Sequence, residues 1–395
     1  MHLRHWSNNP VCLPSHDNMG YLPFILSVII IFYLAFVLAM TLLWFFIPVT
    51  RSKMEGEYLN FSVLVPFRNE SGRIGSLLDS LQSLDYPTEN FEIIFINDHS
   101  TDNTVSKLEG CIRPGMNWRV IHAPSGAGGK KRALQLGVDS AQFDHIVTTD
   151  ADCSIGKEWL NAYNQYYRTG EVVFVSAPLA LQFDPGSFTG VLQHFEQTAL
   201  TAMGAVSMSL NKPTMCNGAN LSFKKAAFQQ VDGYRGNDHI PTGDDQFLLA
   251  KMNTEFPGKT GFLKSRDAVV TTPAIAGWSP MIEQRIRWAS KWRATGRNVM
   301  LSAIFVGLTY ISLLLLALTA IFFDPSSRSA VIILFSVKIF MDAIFVKSAS
   351  YNDRKWVWLW WPVVQVVYPF YIIFVAVRSS VGTYSWKGRQ YSAVG

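Results

Sequence analysis

Charge is scarce in this chain. Only 16% of its 395 residues are Asp, Glu, Lys or Arg, against 49% hydrophobic residues. The shortage falls in blocks: Leu22 to Val49 runs 28 residues without a charge, Val299 to Phe323 runs 25, and Trp356 to Val377 runs 22. Cysteine is scarce too. Cys12, Cys111, Cys153 and Cys216 form no CxxC pair and no framework, which argues against a disulfide scaffold and for a reducing compartment around the last three. Internal repeats and low-complexity tracts are missing. A nucleotide loop is missing as well. Gly126 to Lys131 has the glycines and lysines, but Pro124 stands where a P-loop begins with glycine and Lys131 where it needs Ser or Thr. Lys131 also takes the last glycine place of GxGxxG. The stretch reads as a flexible approach to a helix, with Lys130 near phosphates.

A helix needs roughly 20 apolar residues to cross a bilayer, so each uncharged block is long enough to span. Ala330 to Val346 is a weaker fourth candidate, 17 residues long and carrying Lys338 and Asp342. Those two are four apart, share a helix face and read as a mutual structural pair, although buried charges in a span are also functional suspects. The first block is too long for a signal-peptide core and no small-residue cleavage site follows it, so it reads as a retained anchor. The net charge of +5 is concentrated just before the second block, in Arg285, Arg287, Lys291, Arg293 and Arg297. Basic flanks stay cytoplasmic. That places 51–297 in the cytoplasm and the N-terminus outside. The division is a polar segment 1–21, an anchor 22–49, a soluble domain 51–283, an amphipathic interfacial helix 284–298, transmembrane helices 299–378 and a tail 379–395. With three C-terminal spans, Lys347, Arg354 and Lys355 form a cytoplasmic loop and the tail lies outside. If 330–346 only dips into the membrane, the tail returns inside.

The soluble domain alternates strand and helix. Phe61–Pro66, Phe91–Ile96, Val120–Ile121, His145–Thr149 and Glu171–Val175 are short apolar, β-branched runs bounded by turns, as buried strands require. Helical stretches at 72–83, 101–109, 130–141 and 157–167 lie between them. The pattern predicts an α/β fold with a parallel sheet and helices on both faces. Ligands of such sheets sit beyond the carboxyl ends of the strands, where Asp98 and Asp150 fall.

Three acidic stations and one basic block stand out. Asp98 to Asp102 ends a strand and opens a helix. That is ordinary helix-cap composition, and it also suits Asp98 accepting hydrogen bonds from a nucleobase. Asp150 and Asp152 can both reach one hard cation, and Mg²⁺ takes one or two carboxylates plus substrate phosphates. Asp244 and Asp245 are adjacent carboxylates before a helix at 246–252, again either a cap or a general base toward a hydroxyl. Gln284-Arg285-Ile286-Arg287-Trp288 places a guanidinium that can grip a diphosphate beside a ring that can floor an acceptor. The same block suits an amphipathic helix at the headgroups.

Taken in order, these residues resemble the membrane-anchored family 2 inverting glycosyltransferases, relatives of cellulose, hyaluronan and poly-N-acetylglucosamine synthases and of ceramide glucosyltransferases. Pro66, Arg68 and Glu70 look like part of the family's opening strand and loop. Asp98 looks like its first Asp station, with His99 where Gly is usual. Lys130 to Leu134 resembles its Lys-x-x-Ala-Leu, and Asp150-Ala151-Asp152 its DxD. Asp244-Asp245 stands where it writes Glu-Asp, and Gln284-x-x-Arg287-Trp288 matches its QxxRW. The resemblance covers about 60–298. It implies a GT-A domain, Rossmann-like, with one N-terminal and two to three C-terminal transmembrane helices, a UDP-sugar donor, and Mg²⁺ or Mn²⁺ on Asp150 and Asp152. It further implies Pro66, Arg68, Glu70, Asp98, Lys130, Asp150 and Arg287 around the donor, Gln284 and Trp288 at the acceptor, and Asp245 as base beside Asp244.

The acceptor stays open. Three or four helices form only a narrow channel, with a partner or a second copy needed to widen it, which favours one transfer to a lipid. Synthesis of an extracellular polysaccharide is the alternative, and an inactive membrane scaffold is an alternative of another class. No nucleic-acid partner is expected. A bacterial inner membrane is the expected location.

Overall fold

The structure is a computed structural model. It describes residues 16–52, 56–124, 129–236, 243–290, 297–322, 327–351, 354–380, 383–386 and 389–392. Cys12, most of the glycine-rich approach to Lys130, and Lys291 to Arg293 lie outside the described residues.

A long helix, α1 (His16–Phe46), leads into a sheet-and-helix domain. Its first part follows the expected alternation: β1 (Phe61–Phe67), α2 (Gly75–Gln82), β2 (Phe91–Asn97), α3 (Thr104–Cys111), β3 (Trp118–His122), α4 (Lys130–Ser140) and β4 (His145–Thr148). β5 (Ser154–Ile155), α5 (Trp159–Arg168), β6 (Phe174–Ser176), β7 (Leu179–Gln182), α6 (Phe188–Ser209), β8 (Leu221–Lys224) and α7 (Lys225–Gln230) come next. α8 (Asp244–Glu255), β9 (Thr260–Phe262), β10 (Val270–Pro273) and α9 (Trp278–Ala289) complete the domain. Three long helices follow, α10 (Arg297–Phe322), α11 (Arg328–Ala349) and α12 (Trp361–Ser380), then a hairpin of β11 (Thr383–Trp386) and β12 (Arg389–Ser392).

The main sheet has the order β3-β2-β1-β4-β8-β6-β9. β1 pairs in parallel with β2 and β4, as expected. The sheet is not wholly parallel, however: β8 runs antiparallel to both β4 and β6. β8 returns directly after α6, so it enters the sheet from the opposite end. A second sheet, β5-β10-β7, has no counterpart in the sequence reading. Its strands are two to four residues long, too short to show a period.

Side chains alternate across the strands. Phe61, Val63, Val65, Ile93, Phe95 and Val147 enter one core. Leu64, Ile94, Ile96 and Ile146 enter the other, which continues through α6 into Trp44, Phe345, Trp361 and Tyr371 of the long helices. α6 is therefore a shared wall, packed on β7 and β9 on one side and on α1 and α11 on the other. Lys264 fixes the end of α1: its ammonium donates to Trp44 O at 2.7 Å and lies 4.3 Å from the Trp44 ring centroid. A cation there also suits the helix C-terminus.

Among the described residues four helices are long and apolar enough to cross a membrane: Tyr21–Phe46, Met300–Phe322, Arg328–Ala349 and Lys355–Ser380. The weak segment at 330–346 thus extends into a helix of 22 residues. Exposed large apolar side chains concentrate on these helices and on the turn entering α12. Elsewhere among the described residues they are Val49, Tyr58, Leu210 and Trp278. So much apolar surface in one belt fits a lipid surrounding better than water.

Candidate active site

The loops after β1 and β2 are laced together. Ser100 Oγ accepts from Asn69 N, Asn69 Oδ1 from Thr101 N, Thr104 Oγ1 from Glu70 N, and Asp102 from Ser71 N and Thr104 N. Burial works against ionising Asp102, yet the bonds from Thr104 and Ser71 outweigh it and hold the carboxyl far below its usual range. Asp102 thus does the capping work, which leaves Asp98 facing inward. Both Asp98 oxygens accept from Gly129 N at 3.0 Å.

His99 has φ 58°, the left-handed region that a residue without Cβ enters freely. Its ring nitrogens stand 3.2 Å from Asp98 Oδ1 and 3.2 Å from Pro124 O. Two ring contacts thus offset the strain of a side chain where glycine is usual.

Lys130, at the start of α4, reaches across the sheet end. Its ammonium lies 2.6 Å from Asp150 Oδ1 and 3.7 Å from Asp244 Oδ2. Burial alone would discharge it, but Asp150, Asp244 and Asp245 hold its proton well above the ordinary lysine range. Asp152 has the opposite problem. Desolvation, then Asp150 and Glu70, push its carboxyl up, so negative charge there is under-compensated. Behind it, burial pushes the Cys153 thiol up out of the reactive range.

Asp245 begins α8 beside Asp244. Its two oxygens accept from Gly218 N at 3.1 Å and Gln246 N at 2.8 Å. Gly218 is small for a reason. A Cβ there would sit 3.3 Å from Asp244 Oδ2 and 3.5 Å from Lys130 Nζ. Its own carbonyl accepts from Thr148 Oγ1 at 3.0 Å. Asn220, fully buried, accepts from Trp159 Nε1 and Tyr163 OH and donates to Pro178 O and Ala268 O. That hub holds the 216–220 turn against the sheet.

The basic block lies on α9, which begins at Trp278, six residues before the expected start of the interfacial helix. Arg285 is its anchor. It donates through Nε to Glu196 Oε2 at 2.7 Å, contacts Gln284 Oε1, and lies 4.3 Å from the Trp288 ring centroid. Tyr371 OH of α12 donates to Glu196 Oε1 at 3.4 Å. Burial disfavours charge on Arg285, and Glu196 more than restores it. Glu196 was not singled out in the sequence; Asn220 was noted there only as part of the stretch 216–220, without a role, and Arg285 was not given this anchoring role.

All twelve side chains assigned from the sequence line one cavity of about 1130 Å³. Pro66, Arg68, Glu70, Asp98, Lys130, Asp150, Asp152, Asp244, Asp245, Gln284, Arg287 and Trp288 are among its walls. It also reaches Tyr33, Tyr310, Asp342, Gln365 and Tyr368 between the long helices. A divalent cation fits the donor set at Asp150 and Asp152: hard carboxylate oxygens with charge left uncompensated at Asp152. Among the described residues no group of three or more His, Cys, Asp or Glu stands where it could hold a metal ion.

Residues 62–231 match the model of glycosyl transferase family 2. A beta-monoglucosyldiacylglycerol synthase from Synechocystis sp. is 32% identical over 244 residues, 59% of this chain and 47% of that protein. A poly-beta-1,6-N-acetyl-D-glucosamine synthase from Staphylococcus epidermidis is 26% identical over 255 residues, 62% of this chain and 59% of that protein. The chain spans about half the length of the curated relatives it matches over most of its domain. A mannosyltransferase from Pyrobaculum calidifontis, solved in complex with GDP-Man and Mn²⁺, superposes with a TM-score of 0.53 at 16% identity, covering 90% of this chain and 97% of that one. At that identity the likeness speaks for the fold. The family match begins inside β1 and ends just after α7. Asp244, Asp245 and the α9 block lie beyond it, but the laced loops, Lys130, Asp150 and Asp152 fall within it, so the part of the chain that is similar to glycosyl transferase family 2 carries the first half of the site.

Proposed function

We propose that this chain is an inverting glycosyltransferase that moves a sugar from a UDP-sugar to a lipid hydroxyl at a membrane surface. One observation carries the reading: a single cavity joins the charged strand ends to a compartment between four long apolar helices. A donor with two phosphates suits the first part and an acceptor with apolar chains suits the second. The Synechocystis relative is named for a glucosylated diacylglycerol, which agrees with such an acceptor. Basic residues at Arg285 and Arg287 favour a cytoplasmic catalytic face.

Asp98 stands where it can meet the uracil. Arg287 grips the diphosphate, and the Lys130 ammonium neutralises its surroundings. Asp150 and Asp152 would hold Mg²⁺ or Mn²⁺, which would supply positive charge beside the diphosphate. Asp245 takes the proton from the acceptor hydroxyl as that oxygen bonds to the anomeric carbon. The bond to the diphosphate oxygen breaks on the opposite side, so configuration inverts in one step. Trp288, one face resting on Arg285, floors the acceptor site.

The test is Asp245→Asn. It should bind UDP as the parent does and transfer no sugar. Near-normal turnover would remove Asp245 as the base.

A further inference from the structure

Five polar side chains meet deep among the long helices, and each helix supplies at least one. Lys338 of α11 is 1% exposed and donates to Asp342 Oδ2 at 2.9 Å and to Gln365 Oε1 of α12. Tyr33 of α1 donates to Asp342 Oδ1 at 3.1 Å. The Lys338 ammonium lies 4.9 Å from the ring centroid of Tyr310 of α10. Lys338 and Asp342 therefore form the pair expected from their spacing. A pair serving packing alone would be sealed by apolar neighbours, because polar atoms in a span are costly. Here Tyr33, Tyr310, Asp342 and Gln365 line the same cavity that reaches Asp245 and Trp288.

Two features of the cluster bear on what enters it. The first is charge. Lys338 cancels Asp342, and the neighbouring Arg285 cancels Glu196. A lipid phosphate would lose its hydration in this compartment and meet no uncompensated cation among these residues. The second is hydrogen bonding. Gln365 gives its carbonyl oxygen to Lys338, which leaves its amide nitrogen as a donor at the cavity wall. A donor at this cluster suits a carbonyl. A growing glycan would need polar partners along the whole path, whereas Phe36, Val37, Leu308, Ile311, Val364 and Ile372 line the walls around this one level.

Resting on the lipid-acceptor reading, we propose that the Tyr33–Tyr310–Asp342–Gln365 cluster is an acceptor subsite that binds the ester or amide linkage of a neutral, uncharged lipid alcohol. Its hydroxyl lies toward Asp245 and its chains pass between the helices. The subsite sets acceptor choice and leaves donor binding alone.

The experiment uses the full chain in detergent with Mn²⁺ and labelled UDP-glucose, UDP-galactose and UDP-N-acetylglucosamine, continuing with whichever sugar is transferred. Three acceptors are compared: a diacylglycerol, a diether glycerol of equal chain length, and a polyprenyl phosphate. The parent should prefer the diester over the diether by about tenfold in kcat/KM, the size of one good buried hydrogen bond. Gln365→Met should raise KM for the diester by about tenfold, leave the diether unchanged, and leave KM for the donor unchanged. Equal use of diester and diether by the parent overturns the subsite, and that comparison stands even if the variant does not fold. So does an unchanged diester KM in Gln365→Met. In either case transfer to lipid still upholds the lipid reading. Label found only in the polyprenyl phosphate overturns the neutral-acceptor assignment. Label found only in a long aqueous glycan overturns the lipid reading and the subsite together.

Discussion

The two ends of the cavity are built on different principles. At the strand ends, carboxylates and a lysine stand on loops held by many short backbone bonds, and charge is left over for a ligand to neutralise. Between the long helices the opposite charges of Lys338 and Asp342 are paired, and Tyr33 and Gln365 bond to them side chain to side chain. A loop site can carry uncompensated charge because water and substrate share the cost. A site among apolar helices cannot. On the proposed function, the phosphates bind at the first end and the lipid at the second.

Changes at the two ends should therefore fail differently. The largest effect falls at the charged end. Asp245→Asn should cut turnover by about 10³-fold, within the range of a lost general base, while thermal stability stays near the parent value. Turnover and melting temperature measured on one preparation separate the two. At the join, Glu196→Ala should destabilise the protein by about 3–5 kcal/mol, because Arg285 would stay buried without its partner. Trp288 fluorescence should change with it. A variant of unchanged stability would mean that the pair does not tie α9 to α6.

A smaller effect concerns pH. His194, on α6, is buried with no partner for Nε2, and burial followed by Arg354 lowers its pKa from 6.5 to about 4. The unfolded chain takes up a proton below pH 6.5 that the folded chain refuses until about pH 4. Stability is thus complete above the upper value and falls as pH drops through that window, by at most about 3 kcal/mol. Melting temperatures between those limits should show the slope, and His194→Leu should flatten it. An equal slope in the variant would assign the acid sensitivity elsewhere. The smallest effect is at the nucleobase. Asp98→Ala should raise the donor KM by about tenfold, one charge-assisted hydrogen bond, with kcat little changed.

The charged end was legible in the sequence because its residues follow strand ends that periodicity can find. β1, β2 and β4 are mainly apolar runs; Asp98 comes directly after β2, and Asp150 two residues after β4. The helix-side partners were not legible. α6 buries most of its 22 residues against the sheet on one side and long helices on the other. A helix covered on both sides has no polar stripe to betray its period, and Glu196 was hidden with it. Asn220 was given no role because one asparagine in a turn looks like any other, and its four bonds come from three distant segments. The antiparallel β8 was missed because its direction is set by the return of the chain after α6 and by its pairing with β4 and β6, which a local pattern does not show. Lys338 and Asp342 could be paired by spacing, but their contacts to Tyr33 and Gln365 span hundreds and tens of residues, beyond the reach of a local pattern.

The central claim is transfer of one sugar to a lipid. Membranes containing the protein would be incubated with Mn²⁺ and labelled UDP-glucose, UDP-galactose and UDP-N-acetylglucosamine, then partitioned between organic and aqueous phases. Label in a small organic-soluble product, lost in Asp245→Asn, is the predicted result. Label in a large, glycosidase-sensitive aqueous product would contradict it and make the chain a polymer synthase.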